Sequence, residues 1–247
     1  MNAAPGDDLT VAYRRLNAAY QQTLRYAEDV RRLYQQVQRA IYQSLLGLAN
    51  ALEAKDAYTR GHSERVGVYA SKIAREMGFA KDFIERVYIA GLLHDVGKIG
   101  IRDAVITKPD RLTPEEYEEI RRHPEIGARI LEPVDFLREV APCVRHHHEW
   151  YDGSSRGYPD RLRGDQIPLP SRIILVADTV EAMTSDRPYR KALPFERVID
   201  EVRRFRGTQF DPDAADAFLR IAEREEEAFL ETASKFDIED FVAGEGP

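Results

Sequence analysis

Five of the six histidines in this chain stand where a metal site explains them. His94-Asp95 ends an apolar helical run through Ile84, Val87, Tyr88, Gly91 and Leu92. His62 opens a second amphipathic helix, His123 precedes a proline, and His147-His148 close a further helix. Asp178 interrupts the apolar run Ile173-Ile174-Leu175-Val176-Ala177. A carboxylate there stays ionised only beside a cation or strong hydrogen-bond donors. Imidazole plus carboxylate, with a single cysteine, suits a hard-to-borderline divalent ion used for hydrolysis. These residue types predict a metallohydrolase.

Taken singly, a histidine is more often a satisfied core or surface residue than a ligand. Helical phase separates the cases. His62 lies four residues before Val66 and shares its buried stripe, and His147 and His148 lie three and four after Val144. Two adjacent buried imidazoles without a metal would each need a separate hydrogen-bond partner. His146 falls with Glu139, Pro142 and Cys143 on the flank and is expected to be a solvated neighbour. Glu149 is expected behind the histidine pair as an orienting group. Successive residues at a helix end diverge by about 100°, so His94 and Asp95 reach one ion only where the helix faces it end-on. The two oxygens of Asp95 could bridge a pair of ions.

The elements that must carry these groups are helical. Residues 9 to 48 read as one long helix, with Tyr13, Tyr20, Ala27, Tyr34, Ile41 and Leu48 repeating every seven residues. Leu9, Leu16, Thr23, Val30, Val37 and Ser44 form the second series of a coiled coil. An amphipathic helix packed on its own domain is the competing reading. Val66, Tyr69, Ala70, Ile73 and Met77 make a 3.6-residue stripe ending at Gly78. Thr113-Pro114-Glu115-Glu116 is a capping box, and Leu137, Val140, Ala141 and Val144 carry a helical period to His147. Residues 152 to 170 are loop, and Ile173 to Thr184 is apolar nearly all round, as a central helix would be. The prediction is an all-α chain with a coiled-coil-like dimerisation or signalling helix over 1–50 and a catalytic domain over 51–247.

Hydrophobic residues make up 43% of the 247, enough for one sizeable core, and the net charge of −7 argues against a nucleic-acid polymer as partner. An anionic small substrate remains open where positive charge is concentrated locally. The lone Cys143 excludes a disulfide framework and fits a reducing cytoplasm. No apolar run reaches the length of a membrane span. A sensor or receiver upstream, in the same chain or a separate protein, is the expected source of a signal.

Motifs beyond the ligands complete a pattern. They are His94-Asp95-Val96-Gly97-Lys98-Ile99-Gly100-Ile101, His123-Pro124 with Gly127, and His147-His148-Glu149 followed by Asp152-Gly153. Further on come Gly157-Tyr158-Pro159, Ala177-Asp178, Arg187-Pro188-Tyr189-Arg190 and Phe210-Asp211-Pro212. Together, over residues 51 to 222, they resemble the HD-GYP domain, the cyclic di-GMP phosphodiesterases within the HD superfamily of metal-dependent phosphohydrolases. The resemblance implies an HD-type helical bundle holding two divalent ions, Fe or Mn first and Zn acceptable. It implies that His62, His94, Asp95 and Asp178 hold one ion, and Asp95, His123, His147 and His148 the other. Lys98 joins Asp95 as a catalytic residue, contacting the scissile phosphate or supporting the developing charge. Arg187 and Arg190 are implied as the pair that grips the substrate phosphates. Tyr158 either stacks on a guanine or caps its loop.

The implied activity is hydrolysis of cyclic di-GMP to linear pGpG, in a homodimer formed through the N-terminal helix. The alternatives are hydrolysis of another cyclic dinucleotide or phosphoester, and a dinucleotide-binding regulatory module of weak catalytic power. Two departures are visible. The family's Asp-Gly-Ser-Gly-Tyr-Pro is here Asp152-Gly153-Ser154-Ser155-Arg156-Gly157-Tyr158-Pro159, two residues longer. Some relatives hold a third ion with a Glu four residues before the histidine matching His62, and here that position is Tyr58. A neutral phenol is a poor ligand, which predicts two ions and pGpG as the main product. Glu53 and Asp56 are the carboxylates that could substitute for it.

Overall fold

The first helix, α1, runs unbroken over Pro5–Glu53, because no proline falls within it after its first residue and Gly47 is its one interior glycine past the first turn. In the computed structural model, which describes residues 5–54, 61–108, 110–186 and 191–224, the regular elements are all helices. An isolated bridge between Arg206 and Phe210 is the only strand-like pairing among the described residues. By its contacts the chain divides between Ser44 and Leu45 into two units. In the first, the seven-residue series lies open: Leu9, Tyr13, Leu16, Tyr20, Val30, Tyr34 and Val37 are all exposed. No described helix is long and apolar enough to cross a membrane.

The second unit begins with the last turns of α1, where Leu45, Ala49 and Glu53, spaced by four, are buried. After it come α2 (His62–Glu76), α3 (Lys81–Leu93), a 3-10 turn (Val96–Gly100) and α4 (Asp103–Ile106). Then follow α5 (Pro114–Ile120), α6 (His123–Leu131), α7 (Ala141–Arg145), α8 (Leu169–Thr184), α9 (Phe195–Phe205) and α10 (Pro212–Arg224). The α2 stripe of Val66, Tyr69, Ala70 and Ile73 is fully or almost fully buried, with α2 packed on α3, α8 and α10. Helix α8 is the centre: Ile173, Ile174, Val176, Ala177 and Val180 are inaccessible. Each buried aliphatic side chain of this size contributes about 1.5–3 kcal/mol. The capping box on α5 is formed, with Glu116 N–H donating to Thr113 Oγ1 at 3.3 Å and Thr113 N–H to Glu116 Oε2 at 2.7 Å.

One periodic stretch folds differently from its pattern. The run from Leu137 to His148 is not a single helix but a 3-10 turn at Asp135–Leu137, then the short α7. Pro142 has no N–H for the carbonyl four residues back, so a helix can start beside it but not run through it. Helix α8 begins at Leu169, earlier than the apolar run suggests, with Pro170 in its first turn.

The 3-10 turn after α3 packs directly on α6. A Cβ on Gly97 would stand 1.9 Å from the His123 carbonyl oxygen and 2.4 Å from the Gly127 amide nitrogen. Backbone rather than flexible side chain blocks it, so only glycine fits. Gly97→Ala is expected to lose about 3 kcal/mol or more, read as a fall of roughly 10 °C in melting temperature. An unchanged melting temperature would show that the turn can draw back from α6.

Candidate metal centre

Helix ends build this site. His94 is the C-cap of α3, Asp95 leads into the 3-10 turn that carries Lys98, His123 starts α6, and His147-His148 follow α7. His62 starts α2, and Asp178 comes from the middle of α8. The last carbonyls of a helix lack intrahelical donors, and three histidines supply them. The Nδ1–H of His94 donates to Gly91 O at 2.7 Å, that of His123 to Ile120 O at 2.8 Å, and that of His147 to Val144 O at 2.6 Å. A carbonyl can only accept, so the bond fixes the proton on Nδ1 and leaves Nε2 as a lone pair. His62 is fixed by a carboxylate instead, its Nδ1–H donating to Glu181 Oε2 at 2.5 Å.

These lone pairs converge. His62, His94 and Asp95 form one group of mutually close ligand atoms, and His123, His147 and His148 another. Asp95 lies between them. Its Oδ2 is 3.4 Å from His94 Nε2 and 3.8 Å from His62 Nε2, while its Oδ1 is 3.3 Å from His123 Nε2. Asp178 Oδ1 adds a fourth donor to the first group, 3.4 Å from His62 Nε2. Lys98 Nζ reaches Asp95 Oδ2 at 2.5 Å. The donor set therefore fits divalent ions. His123 Nε2 faces His147 Nε2 at 3.3 Å, and two lone pairs at that distance repel unless a cation lies against them.

The electrostatics keep Asp95, His123, His147 and His148 in ligand form, with His62 the exception. Burial, opposed by Asp95 and reinforced by Lys98 and His94, pushes the His123 pKa down to about 4. Burial with the neighbouring imidazoles takes His147 and His148 well below the ordinary histidine value. Burial also opposes the charge on Asp95, yet Lys98, then His94, His123 and His62, hold its carboxyl well below the usual range. Glu181 is likewise buried, but the bond and charge of His62, with Ser185 and Arg65, bring it to about 2. His62 is raised in return: burial pulls it down, and the Glu181 bond with the charges of Asp178, Glu181 and Asp95 prevails.

Several supporting groups have no sequence motif of their own. Glu181 sits three residues after Asp178 on the same face of α8, which is the one signal that could have found it. Arg65 donates to its Oε1 through Nε at 2.8 Å and Nη2 at 2.6 Å. Glu53 accepts from the amides of Gly61 at 2.6 Å and Ser63 at 2.7 Å, clasping the start of α2 on either side of His62. His146 points away from the ligands, as its phase predicts, but its side chain is only 12% exposed rather than solvated. The loop after Tyr158 folds back over it, with Asp160 Oδ2 at 3.6 Å from its Nδ1. Glu149 does not back the histidine pair; it faces His146 and accepts from the Asp160 amide at 2.7 Å. Arg187, Arg190, Asp56 and Tyr58 lie outside the described residues.

An open cavity of about 710 Å³ adjoins the ligands at His148 and Asp178. Tyr158 forms part of its wall, its ring 4.7 Å from that of His148 and covered by the Arg121 guanidinium at 4.6 Å. Its size is that of a small-molecule site.

Residues 47–214 match the family described as HD domain. The chain is 41% identical over 180 residues to a cyclic di-GMP phosphodiesterase of Thermotoga maritima, covering 72% of this chain and 48% of that protein. It is 37% identical over 171 residues to a 3'3'-cGAMP-specific phosphodiesterase of Vibrio cholerae, covering 68% of this chain and 36% of that one. The chain thus spans about half or less of the length of these curated relatives. Among solved structures, a cyclic GMP-AMP specific phosphodiesterase of V. cholerae shares the fold, with a TM-score of 0.61 at 19% identity over 82% of this chain and 53% of that one.

The carboxylate behind His62 gives this site a measurable dependence. Glu181→Gln keeps the size but weakens the hold on the Nδ1–H, and outer partners of this kind are worth about 10- to 100-fold in metal affinity. The expected outcome is that much weaker retention of divalent ion against a chelator series, with helicity by circular dichroism unchanged. Wild-type retention would show that α2 alone orients His62.

Proposed function

This chain belongs to the HD-domain family, in its HD-GYP branch, and on that premise we propose that it is a phosphodiesterase opening cyclic di-GMP to linear pGpG. The observation that carries the reading is the set of imidazole lone pairs and carboxylates gathered beside an open cavity that reaches them at His148 and Asp178. Two divalent ions held there, Fe or Mn in preference to Zn, would lower the pKa of a shared water and offset charge on the phosphoryl group under attack. His62, His94, Asp95 and Asp178 would hold one, and Asp95, His123, His147 and His148 the other. Asp95 would serve both, since its two oxygens face different histidine groups. Lys98, at the edge of the site against Asp95, supplies a positive charge for the attacked phosphate. Arg187 and Arg190 grip the dinucleotide's phosphates, and Tyr158 lines the entrance.

Two ions rather than three is supported by Glu53, both of whose oxygens are already taken by backbone amides. We place the protein in the cytoplasm, taking its signal from a sensor or receiver upstream. Homodimerisation through α1 is supported by the exposed seven-residue series, which has the pattern that a second identical helix would cover.

Replacing His94 and Asp95 together by alanine is expected to abolish cyclic di-GMP hydrolysis and bound metal while circular dichroism stays helical. Metal analysis of anaerobically prepared wild-type protein is expected to give two ions per chain, and chromatography of the reaction pGpG rather than GMP. Retained activity in the double variant, or three ions per chain, overturns the reading.

Removing residues 1–44 tests the helix. Light scattering is expected to show the mass falling from dimer to monomer with metal content unchanged; an equal oligomeric state before and after would place the interface elsewhere.

A further inference from the structure

The loop after His148 is two residues longer than the Asp-Gly-Ser-Gly-Tyr-Pro motif it resembles, and Ser155 and Arg156 within it both line the cavity beside the ligands. The loop is pinned on either side of them. Gly157 lies so close to Trp150 that a Cβ there would stand 2.4 Å from the Trp150 amide nitrogen. Its own N–H donates to Ser154 O at 3.1 Å, and Tyr158 N–H to His148 O at 3.2 Å. Ser155 and Arg156 therefore project from a fixed base. Arg156 lays its guanidinium on the Trp150 ring, 5.1 Å from the centroid, and Trp150 is backed edge-on by Phe205 at 6.1 Å. Among the described residues no carboxylate lies within ion-pair distance of Arg156. A guanidinium held over a ring face still has N–H donors at its rim for a further partner.

We propose that Arg156, held on Trp150, is a base-reading residue that selects guanine over adenine at the cavity wall. This rests on the reading of the site as a cyclic di-GMP phosphodiesterase and adds the residue that reads its bases. Guanine presents two acceptors, O6 and N7, at the spacing of an arginine fork. Adenine places an amino donor where guanine has O6, so one of the two N–H groups would meet a donor. Lysine can also reach both acceptors, but as a point charge on a flexible stem without the planar fork.

Direct titration calorimetry of GMP and AMP into the metal-loaded full chain reads this without requiring turnover. Wild type is expected to bind GMP about tenfold or more tighter than AMP. In Arg156→Ala the preference disappears through weaker GMP binding, with AMP affinity and metal content unmoved. Equal affinities in the wild type, no binding of either nucleotide, or a preference that survives in Arg156→Ala each overturns the proposal. Cyclic di-GMP turnover is followed in parallel. Absent turnover with the GMP preference intact defeats the phosphodiesterase reading and leaves the guanine site standing.

Discussion

The placement of one proton on each imidazole governs this molecule. A histidine at or just beyond a helix end can reach the carbonyl three residues back, which would otherwise lack a donor. His94, His123 and His147 all do so, and each is thereby left with Nε2 bare and turned inward. Without that arrangement the imidazoles could protonate inward or hydrogen-bond to one another, and the site would close on itself. The helix lengths follow from the same need. Helices α3, α5 and α7 each stop just where a terminal carbonyl must meet a ring.

Holding such a charged and lone-pair-rich centre within a helical core requires rigid backing. On one side, the approach of Gly97 to the backbone of α6 fixes the distance between Asp95 and His123. On the other, Arg65 and Glu181 hold His62 from behind. The two devices differ in kind, one being steric and the other a buried charge pair. A buried carboxylate that lost its partners would be costly, so Arg65, Glu181 and His62 depend on one another.

Much of this was legible in the sequence, for a physical reason. Apolar stripes on α2 and α8 are set by burial, which acts on side-chain type and leaves a period that can be counted. The residues His62, His94, Asp95, His123, His147, His148 and Asp178 stood out because imidazole and carboxylate on an apolar face need an explanation, and the fold brings them together. Glu181 did not stand out, since its partner His62 is 119 residues away and only its place one turn past Asp178 hints at a role. The burial of His146 was missed because it depends on a loop returning from Asp160. The break before α7 was missed because the apolar period continues across it while the backbone hydrogen bonds do not.

Glu53 is the last residue of α1, and its carboxylate holds the amides of Gly61 and Ser63. The tip of α1 thus rests beside His62. Sliding that tip by one turn, about 5.4 Å, exceeds the span of a hydrogen bond, so Glu53 could not keep both amides. A shift in this last turn of α1 would reach the start of α2 as a change in capping, and would carry the buried Leu45 and Ala49 with it.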